Sequence, residues 1–119
     1  MDFDANKPIY LQIIDEIKSR IVSARYAPGE KLPSVRDFAA ELSVNPNTMQ
    51  RALSELEREG LLITERTAGR RITSDHSMLD AMRSELALAH LKKLRSELTS
   101  LGFEPEKQLD FIQKAWDKD

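Results

Sequence analysis

The sequence has 119 residues, 40% of them hydrophobic and 32% charged, with a formal net charge of −2, which suits one compact domain or a domain with an appendage. No apolar run reaches the ~20 residues that a membrane-spanning helix needs, and the acidic start Met1-Asp2-Phe3-Asp4 lacks the order of a secretory signal, so the expected location is the cytoplasm, without a membrane partner. Zero cysteines exclude disulfides and thiolate-held metals.

Asn6-Lys7-Pro8 opens a predicted helix, with Pro placed where a missing N–H costs nothing. Tyr10, Ile14, Ile17 and Ile21 repeat at helical spacing, and Ile9 and Ile13 widen that stripe into a core-facing side. Ala27-Pro28-Gly29 is a turn signal. Lys31-Leu32-Pro33 follows as a very short strand, expected to pair with a later hairpin.

Between Gly29 and Gly60 the pattern is two short helices joined by a tight connection. Ser34 is a preferred N-cap with Asp37 three residues on, and Val35, Phe38, Ala39 and Leu42 form the buried side. Asn45 caps the next helix and Pro46 takes its first position. Met49, Ala52, Leu53 and Leu56 line its core side, while Asn47, Gln50, Arg51, Ser54 and Arg58 lie roughly opposite, with Thr48 in the first turn. Asn and Gln can pair with adenine in a major groove, Arg with guanine, and Thr less selectively. Taken singly, Asn45 and Thr48 are capping residues and the others a solvated face. It is the arrangement as a whole that points to nucleic acid. Gly60 ends the helix.

Leu61-Leu62-Ile63-Thr64 reads as a strand, Glu65–Arg70 as a turn and Arg71-Ile72-Thr73 as the returning strand. A helix pair followed by a basic-tipped hairpin is a winged helix-turn-helix. Residues 1–77 hold eleven Lys or Arg against twelve Asp or Glu, so charge distribution matters more than charge sum. Arg36, Arg51, Arg66, Arg70 and Arg71 are expected to share one surface, and the acidic background keeps phosphate-driven, non-specific affinity modest.

These residues resemble the DNA-binding domain of the GntR family of bacterial transcription regulators. The matching words are Lys7-Pro8-Ile9-Tyr10-Leu11-Gln12-Ile13, Ala27–Arg36, Val44-Asn45-Pro46-Asn47-Thr48, Arg51-Ala52-Leu53 and Leu56–Leu61, over about residues 6–74. The short remainder is similar to the YtrA-type subfamily, in which only two helices follow the winged domain. The resemblance implies that Arg36 contacts DNA and that Asn45, Asn47, Thr48, Gln50 and Arg51 supply base and phosphate contacts. It also implies that Ser34 meets a phosphate. The wing tip departs from the common Gly-x-Gly pattern, since Ala68-Gly69-Arg70-Arg71 keeps one glycine and the charge. Gly69 and Arg70 are the wing contacts that the resemblance implies.

From Met78 to Ser100 there is neither Gly nor Pro, and the segment predicts one long helix. Leu79, Met82 and Leu86 form one stripe, and Leu91, Leu94, Leu98 and Leu101 another, which Leu88 joins. Gly102 stops that helix. Pro105 starts a last one carrying Leu109, Ile112 and Trp116 on one face, with Phe111 and Ala115 adjacent. A two-helix hairpin has more apolar surface than it can cover, so it needs the winged domain or a second copy of itself. A homodimer is the expected partner, because such readers commonly act as two-fold dimers on palindromic sites. The resemblance implies the same, and the expected interface is Leu79, Met82, Leu86, Leu91, Leu94, Leu98, Leu101, Leu109, Ile112 and Trp116.

His76 and His90 lie apart and lack the i, i+4 pairing of a zinc helix, and no phosphate loop or nucleophile elbow is present. No metal, cofactor or catalytic residue is expected. The fold class is therefore mainly α with a small β-sheet, with a winged helix-turn-helix at 1–75 and a two-helix dimerisation hairpin at 76–119. The expected function is a transcription regulator, a repressor, that binds an inverted repeat of double-stranded DNA. A protein-interaction module is the competing reading, and control by a small-molecule effector extends the first.

Overall fold

In the computed structural model, which describes residues 1–118, the elements are α1 (Ile9–Val22), α2 (Val35–Leu42), α3 (Pro46–Arg58), β1 (Leu62–Glu65), β2 (Gly69–Ile72), α4 (His76–Ser100) and α5 (Pro105–Ala115). The fold is mainly α with one small antiparallel sheet. It divides into two compact units, Met1–Met82 and Arg83–Asp119.

In the first unit, α1 buries Ile13, Ile14, Ile17 and Ile21, as its spacing predicts. Its start is tied to the preceding segment through Gln12, whose Nε2 donates to the Asp4 and Lys7 carbonyls at 2.7 and 2.9 Å. Arg20 is a buried charge that the apolar pattern does not announce. Its guanidinium donates to Glu16 at 2.8 Å and to the Tyr26 hydroxyl at 2.9 Å, and it packs over the Phe38 ring. These contacts join α1 to the turn after it and to α2.

Helices α1 and α3 run in the same direction. Tyr10 meets Arg51, and eight residues later on each helix Lys18 pairs with Glu59 at 3.4 Å. Met49, Ala52, Leu53 and Leu56 of α3 are almost fully buried, with Phe38, Ile13 and Ile17 in the same core. The α3 end is set by Gly60, whose φ of +84° lets the Leu61 N–H reach back to the Leu56 carbonyl at 3.0 Å.

The hairpin is tighter than the sequence predicts. β1 and β2 pair from Leu62↔Ile72 to Glu65↔Gly69, which leaves only residues 66–68 in the turn. Gly69, the first residue of β2, has φ +77°, a left-handed backbone that glycine adopts without steric cost. Residues 30–32 lie beside β2 as expected: Lys31 bridges Arg71, the Leu32 N–H donates to the Arg70 carbonyl, and the Ile72 N–H to the Glu30 carbonyl, both at 2.9 Å.

The first unit runs past the expected boundary at residue 75. Leu79 and Met82 are only 6% and 5% exposed, so the opening turns of α4 belong to the winged core. Asp75 caps α4 by accepting from the Met78 N–H at 3.2 Å.

In the second unit, α5 begins at Pro105 and is joined to the end of α4 by polar and apolar contacts. Gln108, 4% exposed, donates to Thr99 Oγ1 at 2.9 Å and to the Phe103 carbonyl at 3.1 Å. Leu98 is buried beside this junction region, and the Phe103 and Phe111 rings lie 4.7 Å apart.

Candidate nucleic-acid interface

Two of the expected contact residues serve as helix caps. Ser34 Oγ accepts from the Asp37 N–H at 3.1 Å, and Asn45 Oδ1 accepts from the Asn47 N–H at 2.7 Å. Their side-chain oxygens are thereby engaged, and what they can offer a ligand is the Ser34 hydroxyl proton or the Asn45 amide. Each cap contributes roughly 1 kcal/mol to its helix.

Beyond the caps, the first half of α3 presents donors to solvent. Asn47, Gln50 and Arg51 are exposed and Thr48 is half-buried. Gln50 Nε2 donates to Ser54 Oγ at 3.1 Å, a contact between exposed side chains that is readily exchanged. Arg36, also exposed, occupies the first turn of α2. A cation there opposes the positive end of the helix dipole at a cost of about 0.3–1 kcal/mol. An anion bound at that end would remove the cost, which suits a phosphate.

Arg51 is held differently. Its guanidinium carbon sits 3.7 Å from the centre of the Tyr10 ring. Sequence periodicity places Tyr10 in the core stripe of α1, yet it is half-buried and forms a platform under Arg51. At a site this open such a stack is worth about 0.5–1 kcal/mol.

The wing basic residues divide. Glu57 of α3 accepts from both Thr64 of β1 and Arg70 of β2, so these side chains pin the wing to α3. Burial alone would raise the Glu57 carboxyl, but the hydrogen bonds from Thr64 and Arg70 outweigh it and hold the group below the ordinary glutamate range. Arg70, with a side chain only 18% exposed, is held by Glu57 as a strut between wing and helix. Arg71 pairs with Glu65 at 2.9 Å and reaches the Gly29 carbonyl at 3.4 Å. Of the five arginines expected on one surface, these two are neutralised by their own strands and helix. Arg66, exposed at the turn, carries the charge of the wing tip.

Between the wing and the start of α2 lies an open groove of about 460 Å³, bordered by Lys31, Pro33, Ser34, Thr67 and Gly69. Its rim thus combines a helix start, a lysine and a glycine backbone. Tyr10, Glu57 and Lys31 also belong to this surface, and the motifs do not mark them as such. The visible signals are an aromatic at the edge of the α1 stripe and a carboxylate on the α3 flank that faces the hairpin.

The residues expected at a dimer interface also divide. Leu79, Met82 and Leu98 are covered by their own chain, at 6%, 5% and 4% exposure, and are core residues. Leu86 and Ile112 are half-buried. Leu91, Leu94, Leu101, Leu109 and Trp116 are exposed, Trp116 by 77%.

Comparison with known proteins matches residues 9–72 to the family described as "Bacterial regulatory proteins, gntR family". Over 111 residues the chain is 40% identical to the HTH-type transcriptional regulator YhcF of Bacillus subtilis, spanning 93% of this chain and 92% of that protein. It is 35% identical over 116 residues to the HTH-type transcriptional repressor YtrA of Bacillus subtilis, spanning 96% of this chain and 88% of that one. Among solved structures, a GntR family transcriptional regulator from Listeria monocytogenes superposes with a TM-score of 0.83 at 38% identity, covering 94% of this chain and 98% of the other.

Proposed function

The chain belongs to the gntR family of bacterial regulatory proteins, DNA-binding transcription regulators, and from that membership we propose that it represses transcription as a homodimer on an inverted repeat in double-stranded DNA. The observation that carries this reading is the sorting of α3. Met49, Ala52, Leu53 and Leu56 are buried, while Asn47, Gln50 and Arg51 stand exposed on the other side. Asn47 and Gln50 are suited to adenine edges and Arg51 to guanine, whereas Arg36, Ser34 and Arg66 would fix register on phosphates.

Dimerisation is supported by the second unit. Leu91, Leu94, Leu101, Leu109 and Trp116 leave apolar surface in water that a second copy of the same hairpin would cover. Two copies related by a two-fold axis would present their α3 helices to half-sites about 34 Å apart, one turn of the duplex. A small-molecule effector can act on such a dimer only by binding two of its geometries with different affinity.

Selection of bound duplexes from a random-sequence pool, at about 0.15 M salt, tests the reading. Recovery of an inverted repeat with two spaced half-sites supports it. Recovery of isolated half-sites, or of no shared sequence, overturns the dimeric, base-reading function.

A further inference from the structure

The five arginines of the winged surface are held in three ways. Arg70 and Arg71 are bound by the carboxylates of Glu57 and Glu65. Arg36 and Arg66 project into solvent. Arg51 alone of the five stands over an aromatic ring, its guanidinium carbon 3.7 Å from the ring centre.

The difference matters for reading bases. A carboxylate partner immobilises a guanidinium but takes up its N–H donors and cancels its charge. A ring immobilises the same group through its face and leaves the in-plane donors, with their fork geometry, directed outward. Among the described residues, nothing hydrogen-bonds or ion-pairs with the Arg51 nitrogens. A long side chain with several rotatable bonds is thus ordered before DNA arrives, and the donors needed for guanine O6 and N7 remain unspent.

We propose that the Tyr10 ring positions Arg51 for base reading, so that a residue of α1 helps to set the sequence preference of α3. The proposal rests on the reading that α3 contacts base edges. It makes Tyr10 a positioning residue, acting through its ring and not its hydroxyl. Lys18 of α1 pairs with Glu59, the C-cap of α3, at the far end of the same α1–α3 contact.

The test uses the full chain and a set of duplexes that carry the selected inverted repeat with one base pair replaced at a time, symmetrically in both half-sites. Wild type, Arg51→Ala, Tyr10→Phe, Tyr10→Leu and the Arg51→Ala/Tyr10→Leu double variant are compared, with thermal melting confirming that each is folded. Arg51→Ala should flatten the preference at one position of the half-site. Tyr10→Leu should reduce the preference at that same position by about two- to fivefold per half-site and leave the other positions unchanged. Tyr10→Phe should behave as wild type, and the double variant as Arg51→Ala alone.

Uniform weakening by Tyr10→Leu across all duplexes would make its role structural and overturn the proposal. Equal losses for Tyr10→Phe and Tyr10→Leu would overturn it in favour of a hydroxyl–phosphate contact. If Arg51→Ala leaves every preference intact, base reading by Arg51 itself fails. That failure is distinct, because it is seen with Tyr10 untouched.

Discussion

Residues 1–82 cover most of their large apolar side chains with one another, leaving Met1, Ile9, Leu11 and Ile63 exposed, whereas residues 83–118 leave most of theirs in water. Eighteen apolar residues are buried among the described residues, and Leu98 is the one of them in the second unit. Seven large apolar residues of that unit are exposed: Leu88, Leu91, Leu94, Leu101, Leu109, Phe111 and Trp116. The two regions have similar helical stripes, so periodicity does not distinguish them. What differs is the number of layers. The winged unit sets α1, α2, α3 and a sheet edge around one centre, while two helices alone have no third element to close over their apolar sides.

The difference predicts unequal costs for deletions. Phe38→Ala, at a side chain with no exposure, should destabilise the winged unit by about 3–5 kcal/mol. That is a large share of the roughly 5–15 kcal/mol available to a domain. Leu109→Ala, at 64% exposure, should change monomer stability by about 0.5 kcal/mol or less. Urea unfolding at protein concentrations too low for self-association measures both, and a cost below about 1 kcal/mol for Phe38→Ala would contradict the closed core.

The exposed hairpin surface supplies the next largest effect. Leu94→Glu combined with Leu101→Glu should weaken self-association by about 100-fold or more, since two central apolar contacts are lost and charge is brought into the seam. Affinity for a full inverted repeat should fall with it, while binding to one half-site and the melting of the winged unit stay unchanged. Sedimentation equilibrium reads the first, and a persisting dimer would place the interface elsewhere. Leu98→Glu is a poorer probe, because Leu98 is 4% exposed and its loss would damage the hairpin itself.

The same contrast explains how much was legible in the sequence. Caps, helix sides and stops are local, so Ser34, Asn45-Pro46, Gly60 and Pro105 mark their helix ends close to where they are observed. The exposed donors of α3 follow from the same periodicity. The partners of charged groups are long-range and were not legible. Arg70 reads as a free wing cation until the fold brings Glu57, thirteen residues away, against it. Tyr10 reads as core until Arg51 arrives on its ring, and nothing in the apolar pattern of α1 marks Arg20, which Tyr26 and Glu16 enclose. In α4 the stripes at Leu79–Leu86 and Leu91–Leu101 look alike. Twelve residues separate Leu79 from Leu91, however, and at about 100° per residue this turns the second stripe by roughly a third of a revolution. One stripe begins in the winged core and the other is mostly left in water.

Within the winged unit, the two kinds of arginine separate by a smaller measure. Arg66→Ala should lower affinity similarly for all sequences, with the slope of log K against log salt reduced by about one per subunit, as for a phosphate contact. Arg70→Ala should chiefly lower stability, by about 1–2 kcal/mol, because the Glu57 carboxylate loses a charged partner. Titrations at several salt concentrations, paired with thermal melts, distinguish them. A salt slope that changes for Arg70→Ala and not for Arg66→Ala would invert the assignment.

The smallest effect is a pH dependence carried by Glu57. Hydrogen bonds from Thr64 and Arg70 hold its carboxyl below the ordinary glutamate range despite burial, so the folded state favours the ionised form. A lowered folded-state value gives stability that is complete above the unfolded-state value and is lost as pH falls through the folded one. Wild type should therefore lose stability on acidification more steeply than Glu57→Gln, with the two curves converging once the carboxyl is protonated. At neutral pH the variant should already be the less stable. The exposed Lys114–Asp110 pair of α5, at 3.1 Å, serves as the contrast from the other unit: an ion pair in open water contributes about 0–1 kcal/mol, so Asp110→Asn should barely move the melting curve at neutral pH. Parallel acid limbs for wild type and Glu57→Gln would mean that the wing is not locked to α3 through this carboxylate. The wing would then be held by its backbone pairing to residues 30–32 and by the apolar core.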